Sequence, residues 1–468
     1  MMTMGRRILA PALTACGLLV AAGPALAGNG HFLHGVGAVN SSMGGVSTGL
    51  PVEPVGVLND NPALLTELDD YQVVFGAEVF KDGPRATATF DNSPVAANGS
   101  FTTRGHSQLG VLPAFGFTYH PKGADWGAGF GLLAVAGFRT DWPQDSSNPI
   151  FRPQPNGFGA VKTDLAILKI PFGLAWRATP RLSLGLNLDL YQGALAISPL
   201  PPAVPDCTLP TPGSGRAVDC FYAPAENQVT SYAVAVQPSL YYHLNSVWSV
   251  GLSYTSPQHF STYTWNSFNA LPYLTLPSGQ QVRNPDFDKA RTVQWKLDGP
   301  QIVAGGIGYQ PNPQWKVGVD VRWVNYANTA GAGGPGGFKP DRSLNDIGWR
   351  NIWVGAIGAE WKATPKLTLR AGFNYSQTPI RNEVAFTSLG TPPTFTDHYC
   401  LGVGLELTNH LEANLSAYYA PRHDVTGPLL SAFLVPAPQN LDQERVPGGT
   451  FTISEKITSV LASLAFRF

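Results

Sequence analysis

The sequence predicts an all-β protein: a 14-stranded antiparallel transmembrane β-barrel with an N-terminal hatch (plug) inside its lumen. Three observations lead to this fold class. Only 13% of the 468 residues are charged, against about 25% in a typical soluble domain. After residue 27 no run of about 18 apolar residues occurs, which excludes helical membrane spans. Apolar and polar residues alternate in many segments instead, and strands satisfy their backbone hydrogen bonds within lipid by closing into a barrel.

The first 27 residues have the layout of an export signal. Arg6 and Arg7 supply the positive start, and the apolar stretch 8–20 follows. A small-residue cleavage site, Ala-Leu-Ala, stands at 25–27. Cys16 and the residues before it also resemble a lipoprotein box, but the apolar run continues beyond the cysteine, which favours the ordinary signal. We therefore expect residues 1–27 to be removed and the mature chain to reside in the bacterial outer membrane.

Residues 28–70 differ from the rest of the chain. They are rich in Gly and small residues, lack sustained alternation, and end in the stretch Asn-Asp-Asn-Pro-Ala-Leu at 59–64. A segment of this length with no place in the wall is most simply a hatch inside the lumen, the alternative being a tail in the periplasm. The predicted organisation is thus a signal peptide (1–27), a hatch (28–70) and a barrel (71–468).

Alternation predicts the strands of the barrel. Five Leu residues from Leu182 to Leu190 alternate with Ser, Gly, Asn and Asp, which places every Leu on one face. From Trp315 to Trp323, Trp and Val alternate with polar residues and Gly in the same way. No amphipathic helices are available to cover such faces, so we expect them to meet lipid. The candidate strands are 71–80, 107–120, 125–138, 164–178, 181–197, 229–243, 247–264, 290–309, 314–327, 348–362, 366–377, 395–408, 411–424 and 451–468.

The connections between these strands alternate in length. Six are short, at 121–124, 178–180, 244–246, 310–313, 363–365 and 408–410, and long loops such as 139–163, 198–228, 265–289, 328–347 and 425–450 lie between them. Outer-membrane barrels have short periplasmic turns and longer extracellular loops, so both termini are predicted to be periplasmic. Phe468 ends the last alternating strand, which resembles the signature recognised by the barrel-assembly machinery.

The cysteines and histidines suggest one disulfide and no metal site. Cys207 and Cys220 share a Pro- and Gly-rich loop, and an oxidising compartment favours their pairing. Cys400 has no obvious partner and is expected to be a small buried side chain. His31 and His34 are the closest pair of histidines, and we expect them to belong to a solvated terminus rather than to a metal site.

Several sequence pieces, in their order and spacing, resemble the FadL family of outer-membrane transporters of long-chain fatty acids and aromatic hydrocarbons. This family has a 14-stranded barrel with an N-terminal hatch, in agreement with the strand count obtained from alternation. Two features depart from the family pattern. Leu64 stands where a Gly often follows the Asn-Pro-Ala triplet, and the Cys207/Cys220 loop is not a general family feature, which leaves the shape of the capture loop open. The resembling pieces are the Gly-rich start ending in Asn61-Pro62-Ala63, the segments 248–257 (WSVGLSYTSP), 308–309 (GY) with 315–323, and 372–379 (GFNYSQTP), and the final Phe468.

The resemblance implies a route for an apolar ligand. Extracellular loops would capture it, a pocket in the barrel would hold it, and a gap in the wall would release it sideways. In the family this gap arises from an inward kink of the third strand, which the Asn-Pro-Ala part of the hatch contacts. Glycines in a strand often mark bends, although barrel strands are also simply Gly-rich. The candidate gate residues are therefore Asn61, Pro62 and Ala63 in the hatch and Gly127, Gly129 and Gly131 in the third strand.

Inward-facing charges are the other candidate binding groups. Lys169, Lys316 and Arg322 face the lumen by alternation and could pair with a substrate carboxylate. The alternative is a mixed charge network, because a polar lumen is the ordinary condition of such barrels. If no such cation lines the pocket, a neutral hydrocarbon becomes the better substrate. The other inward charges are Arg370, Asp189, Asp320, Glu360, Glu406 and Glu412.

The favoured function is the passive uptake of a hydrophobic small molecule, above all a long-chain fatty acid or a related hydrocarbon, by a monomer surrounded by outer-membrane lipid and lipopolysaccharide. No Gly-x-Ser-x-Gly, His-Glu-x-x-His or phosphate-loop motif occurs, so we expect neither an enzyme nor a cofactor. The net charge of −1 argues against nucleic acid. Two alternatives stay open: a diffusion porin for small polar solutes, and a lipid hydrolase carried on the barrel.

Overall fold

The computed structural model describes residues 28–94, 96–107, 109–431 and 440–468, so the predicted signal peptide lies outside the described residues. Sixteen strands form one sheet, of which fourteen close into an antiparallel barrel and two form a hairpin attached to the last strand. The first strand pairs with the last from Gln72 and Arg467 onward. The fourteen strands predicted from alternation are confirmed. They are β1 Tyr71–Asp82, β2 Leu109–Tyr119, β3 Trp126–Trp142, β4 Val161–Thr179, β5 Leu182–Ser198, β6 Ala225–His243, β7 Trp248–Thr255, β8 Ile302–Asn312, β9 Trp315–Val324, β10 Ile352–Lys362, β11 Leu367–Ser376, β12 Asp397–Thr408, β13 Leu411–Leu430 and β14 Arg445–Arg467.

The outer surface of the barrel is apolar between two rows of aromatic residues. On β5, Leu184, Leu186 and Leu188 are exposed, whereas Asn187 and Asp189 are fully buried on the other face. Aromatic girdles of this kind mark the two membrane interfaces. The lower row, next to the short turns, contains Tyr71, Tyr119, Trp126, Trp176, Trp248, Tyr309, Trp315 and Trp361, and the upper row contains Tyr232, Trp353, Tyr375, Tyr399 and Tyr419.

Both ends of the barrel sequence lie at the end with the short turns, where the Phe468 N–H donates to the Tyr71 carbonyl at 3.0 Å. At the opposite end, several strands continue beyond the lipid-facing surface and carry the long loops. No helix of the described chain is long and apolar enough to cross a membrane.

Small hairpins account for the main differences from the predicted strands. Tyr263–Phe268 pairs with Ala290–Trp295 inside the loop between β7 and β8. Its alternation resembles that of a wall strand, but its apolar residues face the interior of the loops, so parts of it were included in predicted strands 247–264 and 290–309. The other accessory hairpins are Arg85–Phe90 with Gly99–Arg104, Asp206–Thr208 with Asp219–Phe221, and Tyr273–Thr275 with Gln281–Arg283.

The N-terminal segment lies inside the barrel. It contains two short helices, α1 Ala38–Ser42 and α2 Pro54–Asp60, followed by a 3₁₀ helix, Pro62–Glu67. Nearly every residue from 28 to 68 is buried, although the segment is rich in polar groups. The prediction of a hatch within the lumen is confirmed, and we use this name for residues 28–70.

Candidate functional site

The backbone of several wall strands packs directly against the backbone of the hatch. A Cβ atom added to Gly306 would lie 2.5 Å from the Gly49 nitrogen, and one added to Gly308 would lie 2.4 Å from the Gly49 oxygen. Such approaches leave room for no side chain, so the wall is shaped to fit the hatch closely. The hatch backbone comes equally close to Gly185, Gly251, Gly358 and Gly372, and hatch side chains come equally close to Gly318 and Gly402.

The Asn-Pro-Ala triplet fixes the end of the hatch to β5, β6 and β7. The Asn61 Nδ2 group donates to the Thr48 carbonyl at 2.7 Å and to the Leu240 carbonyl at 3.1 Å. The Ala63 N–H donates to the Ser239 hydroxyl at 3.0 Å. A Cβ on Gly185 would lie 2.2 Å from the Ala63 nitrogen. The triplet is therefore an anchor between the hatch and this side of the wall.

The glycines of the third strand contact other residues of the hatch. A Cβ on Gly127 would lie 2.7 Å from the Leu65 oxygen, and Cβ atoms on Gly129 and Gly131 would lie 3.2 and 3.4 Å from the side chain of Leu58. Both groups of predicted gate residues thus line the junction of hatch and wall. They meet different partners there, with the triplet on β5 to β7 and the glycines facing Leu58 and Leu65.

The third strand departs from regular geometry just after these glycines. On β4, Leu168 and Ile167 pair with Ala134 and Ala136, so Val135 is one extra residue in the ladder. Such a bulge bends its strand. The five residues from Ala134 to Phe138 are all buried, whereas a wall strand buries every second residue. The upper part of β3 therefore turns into the lumen.

This bend separates β3 from β2. The ladder between the two strands ends at Ala114 and Leu133, although β2 begins at Leu109 and β3 continues to Trp142. Beyond this point β3 forms hydrogen bonds with the hatch instead of β2, since the Leu33 N–H donates to the Val135 carbonyl at 2.9 Å. A break in the pairing of the wall thus lies between the outer end of β2 and the inward part of β3.

The start of the hatch is packed in the lumen, so the expectation of a solvated terminus at His31 and His34 was wrong. The His31 ring lies 5.3 Å from the ring of Tyr326, and the His34 Nε2 atom lies 3.5 Å from the Cys400 sulfur. Both histidines are at most 3% exposed. The segment that was expected to trail into solvent instead fills the space next to β3. Cys400 is buried, as predicted.

Two of the three candidate cations lie against the hatch. The Lys169 Nζ atom is 3.1 Å from an Asp189 carboxylate oxygen and donates to the Gln237 amide oxygen at 2.8 Å. The Arg322 guanidinium is 3.2 Å from Asp60 of the hatch and 3.8 Å from Asp320. Both cations are buried and border one small cavity whose lining is part polar and part apolar. Each already has a carboxylate partner within the protein.

The third cation belongs to a separate network nearer the short turns. Lys316 lies 3.6 Å from Glu360, and Glu360 also pairs with Arg370 at 2.6 Å. Arg370 continues the network to Glu412 at 3.2 Å. Glu406, predicted to face inward, pairs with Lys362 in a half-exposed position. The arrangement is that of a mixed charge network.

An apolar cavity lies beneath the extracellular loops, next to the inward part of β3. Phe138 of β3 contributes to its lining, together with Ile197 at the end of β5 and loop residues on the other sides. None of the described residues that line the cavity carries a charge, and the cavity measures about 60 Å³. The loop residues that contribute apolar surface are Phe158, Trp295, Phe338, Leu344, Ile347, Phe386 and Leu389.

Sequence reasoning missed these cavity residues. Phe386 lies in a 3₁₀ helix, Asn382–Ser388, within a connection that carried no strand pattern. The usable signal was the apolar run Val-Ala-Phe at 384–386 within this loop. Alternation could not indicate which loops meet, because the lining comes from six separate stretches of the chain.

The predicted disulfide between Cys207 and Cys220 is present and joins the two short strands of the loop between β5 and β6. Asp219, beside Cys220, forms an ion pair with Arg216 at 2.6 Å. The Tyr273 hydroxyl of the neighbouring loop donates to Asp219 at 3.2 Å. The disulfide loop is thus stabilised by contacts within the loop and by a hydrogen bond from the loop between β7 and β8.

A pH effect is expected where Glu444 holds one wall of the apolar cavity. The Phe338 N–H donates to the Glu444 carboxylate at 2.9 Å, and burial raises the pKa of Glu444 from 4.5 to about 7. Burial favours the neutral acid by more than the Phe338 N–H favours the carboxylate. The buried position of Glu444 is therefore most stable below pH 4.5 and loses this stability as the pH rises through 7. Hydrogen exchange of residues 336–345, corrected for intrinsic rates, should be faster at pH 8 than at pH 5.5.

The matched variant is Glu444→Gln, which stays neutral at every pH and should abolish this difference. Equal protection of the segment at both pH values in the unmodified protein would contradict the prediction.

Comparison with known proteins identifies the family. Residues 41–422 match the family model described as outer membrane protein transport protein (OMPP1/FadL/TodX). No curated protein sequence matches the chain. Among solved structures, the P. putida toluene transporter TodX is 16% identical, covers 93% of this chain and 99% of its own, and has a TM-score of 0.63. A Pseudomonas aeruginosa FadL homologue is 14% identical, with coverages of 94% and 100% and a TM-score of 0.69.

The Ralstonia pickettii toluene transporter TbuX is 17% identical, with coverages of 93% and 99% and a TM-score of 0.60. At these identities the structures support the fold, and the family match covers most of the chain. The family consists of transport channels rather than enzymes, and its barrel is placed in the bacterial outer membrane. The chain therefore belongs to the OMPP1/FadL/TodX family of outer-membrane transport proteins.

Proposed function

We propose that this protein is a passive channel for uncharged hydrophobic molecules, which enter through the apolar cavity beneath the loops and leave sideways through the break beside β3. The observation that carries the proposal is the uncharged cavity at the inward part of β3. Lipopolysaccharide impedes apolar molecules, and a lateral exit would deliver them to the membrane without a passage through water. TodX and TbuX, which share the fold, are described as toluene transporters.

The proposed route follows one strand. Phe138 lines the apolar cavity, and four residues earlier Ala134 borders a second, smaller cavity. That second cavity is also lined by Leu112 and Ala114 of β2 and by Leu33 of the hatch. It therefore lies at the place where the ladder between β2 and β3 ends. Asn61, Pro62 and Ala63 would hold the hatch on the opposite side while a ligand passes.

The charges favour a neutral hydrocarbon over a fatty acid. Lys169, Lys316 and Arg322 all have protein carboxylates within 3.6 Å. A substrate carboxylate would have to displace one of them and leave it unpaired at a cost of several kcal/mol. An aromatic hydrocarbon makes no such demand, and the Phe and Trp side chains of the cavity offer it ring contacts.

The test places a charge in the cavity. Leu344 is buried in a loop, outside the barrel wall, so Leu344→Asp should leave assembly intact. We expect it to lower the uptake of toluene at least about tenfold, because an apolar molecule would meet an ionised group. Uptake is measured in cells that lack other such transporters, and heat-modifiable gel mobility reports folding. The matched control is Leu344→Ile, which should transport normally.

Long-chain fatty acid is tested beside toluene in the same cells. Preferential uptake of the fatty acid would contradict the assignment to neutral compounds. If the unmodified protein takes up no apolar compound, the alternative function, a diffusion porin for small polar solutes, is favoured instead.

A further inference from the structure

A group of cations lies at the upper limit of the lipid-facing surface, on the side of β1, β13 and β14. Tyr419 of the upper girdle is directly opposite Thr458, which is itself opposite Lys81. Val79 and Val460 are the exposed apolar residues just below this level. The next outward residue of β14 is Lys456, two positions beyond Thr458 and so about 7 Å higher.

The hairpin that follows β1 adds two arginines. Arg85 and Arg104 are directly opposite each other, and both are exposed. At the intervening Gly83, an added Cβ would lie 3.2 Å from the Lys456 Cε atom and 3.4 Å from the Arg422 Nη2 atom. We call these five residues the basic patch: Lys81, Arg85, Arg104, Arg422 and Lys456.

The basic patch differs from the paired cations of the lumen. Within the described ranges, none of its five residues has a carboxylate within 4.0 Å. Arg422 is held by neutral acceptors, and it donates to the carbonyl and the hydroxyl of Ser454, both at 3.1 Å. Asp424 is the exposed acid nearby, whereas Asp82 and Glu455 are buried. The patch therefore carries a clear excess of positive charge.

Above the patch, the outward face of the sheet is rich in hydroxyl groups. The inward face of the hairpin is apolar and buried, with Ala86, Ala88 and Phe90 packed against the loops. The outward side chains bond in pairs across the strands, as between Thr87 and Thr102 at 2.8 Å. The outward hydroxyl residues are Thr87, Thr89, Ser100, Thr102, Thr426, Thr450 and Thr452.

We propose that the basic patch binds the phosphorylated sugar headgroup of lipopolysaccharide in the outer leaflet. From the membrane outward, the surface carries groups that suit each part of such a lipid: apolar side chains for the acyl chains, cations for the phosphates, and hydroxyl groups for the saccharide. Clusters of Lys and Arg at a membrane interface attract anionic headgroups, and Arg adds paired hydrogen bonds to phosphate. The patch borders the outer end of β2, where Lys81 pairs with Leu109, but it lies on the outer surface and contributes no residue to either proposed cavity, so its role goes beyond the proposed function.

The test measures binding of lipid A by native mass spectrometry of the full mature protein in non-ionic detergent. The variant combines Arg85→Ser, Arg104→Ser and Lys456→Ser. Arg422 is left unchanged because its side chain donates hydrogen bonds to backbone carbonyl groups. We expect lipid A carrying both phosphates to bind at least about tenfold more weakly to this variant, because three charge-assisted contacts are lost. Lipid A without phosphates should bind the unmodified protein equally weakly.

The matched control removes the same charge at the opposite end of the barrel, through Lys122→Ser, Arg181→Ser and Lys366→Ser, and should bind like the unmodified protein. Raising the salt concentration should weaken binding by the unmodified protein and hardly affect the patch variant. Toluene uptake by the patch variant should be retained, which separates this proposal from the transport proposal.

Equal binding by the patch variant and the unmodified protein would overturn the proposal, as would equal binding of lipid A with and without phosphates. If Lys456→Ser disturbs assembly, the double variant Arg85→Ser/Arg104→Ser, confined to the hairpin, is tested with a smaller expected loss.

Discussion

Deletion of Val135 is expected to reduce hydrocarbon uptake at least about tenfold while the barrel still assembles. Val135 is the extra residue between Ala134 and Ala136 that bends β3 inward. Without it, the register with β4 would become continuous and the outer half of β3 would lie in the wall, next to residues 109–113 of β2. The break between these strands would then close, and a ligand in the lumen would lose its lateral exit.

The matched control is Val135→Ala, which keeps the extra residue and should transport normally. Uptake is followed with toluene in cells without other such transporters, and heat-modifiable gel mobility is compared for both variants. Unchanged uptake by a folded deletion variant would exclude an exit beside β3. The predicted gate glycines Gly127, Gly129 and Gly131 would then be only packing positions for Leu58 and Leu65.

Deletion of residues 30–60 is expected to turn a closed lumen into an open one, with a rise in ion conductance on the order of tenfold or more. The barrel closes through the pairing of β1 with β14, which does not involve the hatch, so it should still assemble. The deletion removes both helices of the hatch and the carboxylate of Asp60, and it leaves Lys169, Asp189 and Arg322 facing water.

Planar-bilayer recording measures the change. The control opens the loops and leaves the hatch in place: Cys207→Ser with Cys220→Ser should keep the low conductance of the unmodified protein. If the deletion variant conducts no better than the unmodified protein, the loops rather than the hatch close the channel.

The strands were predictable because lipid imposes a period of two on the sequence. In each wall strand this pattern also determines which side chains face the lumen, so Asp189, Lys169 and Arg322 were placed on the correct side. What alternation cannot give is the partner of each charge. Asp60 belongs to the hatch and lies far in sequence from Arg322, and only the enclosure of the hatch brings the two together.

The bend in β3 could not be located from the sequence for a related reason. Residues 132–136 are all apolar, so an extra residue among them leaves no change of polarity that would reveal it. The neighbouring glycines drew attention to positions 127–131, where the strand is regular and is merely close to the hatch. The cavity beneath the loops depends on contacts between separate loops. The alternation of apolar and polar residues within a strand does not indicate which loops are in contact.

The pairing of the first and last strands also sets the order of events during assembly. Because β1 closes on β14, no enclosed lumen exists until β14 has been delivered. The hatch is nevertheless exported first, and its backbone contact with Gly306 and Gly308 leaves no clearance for threading it into a finished cylinder. Residues 28–70 must therefore wait in the periplasm beside a growing, open sheet and be enclosed as the seam forms, so the earliest segment to arrive is among the last to reach its final place.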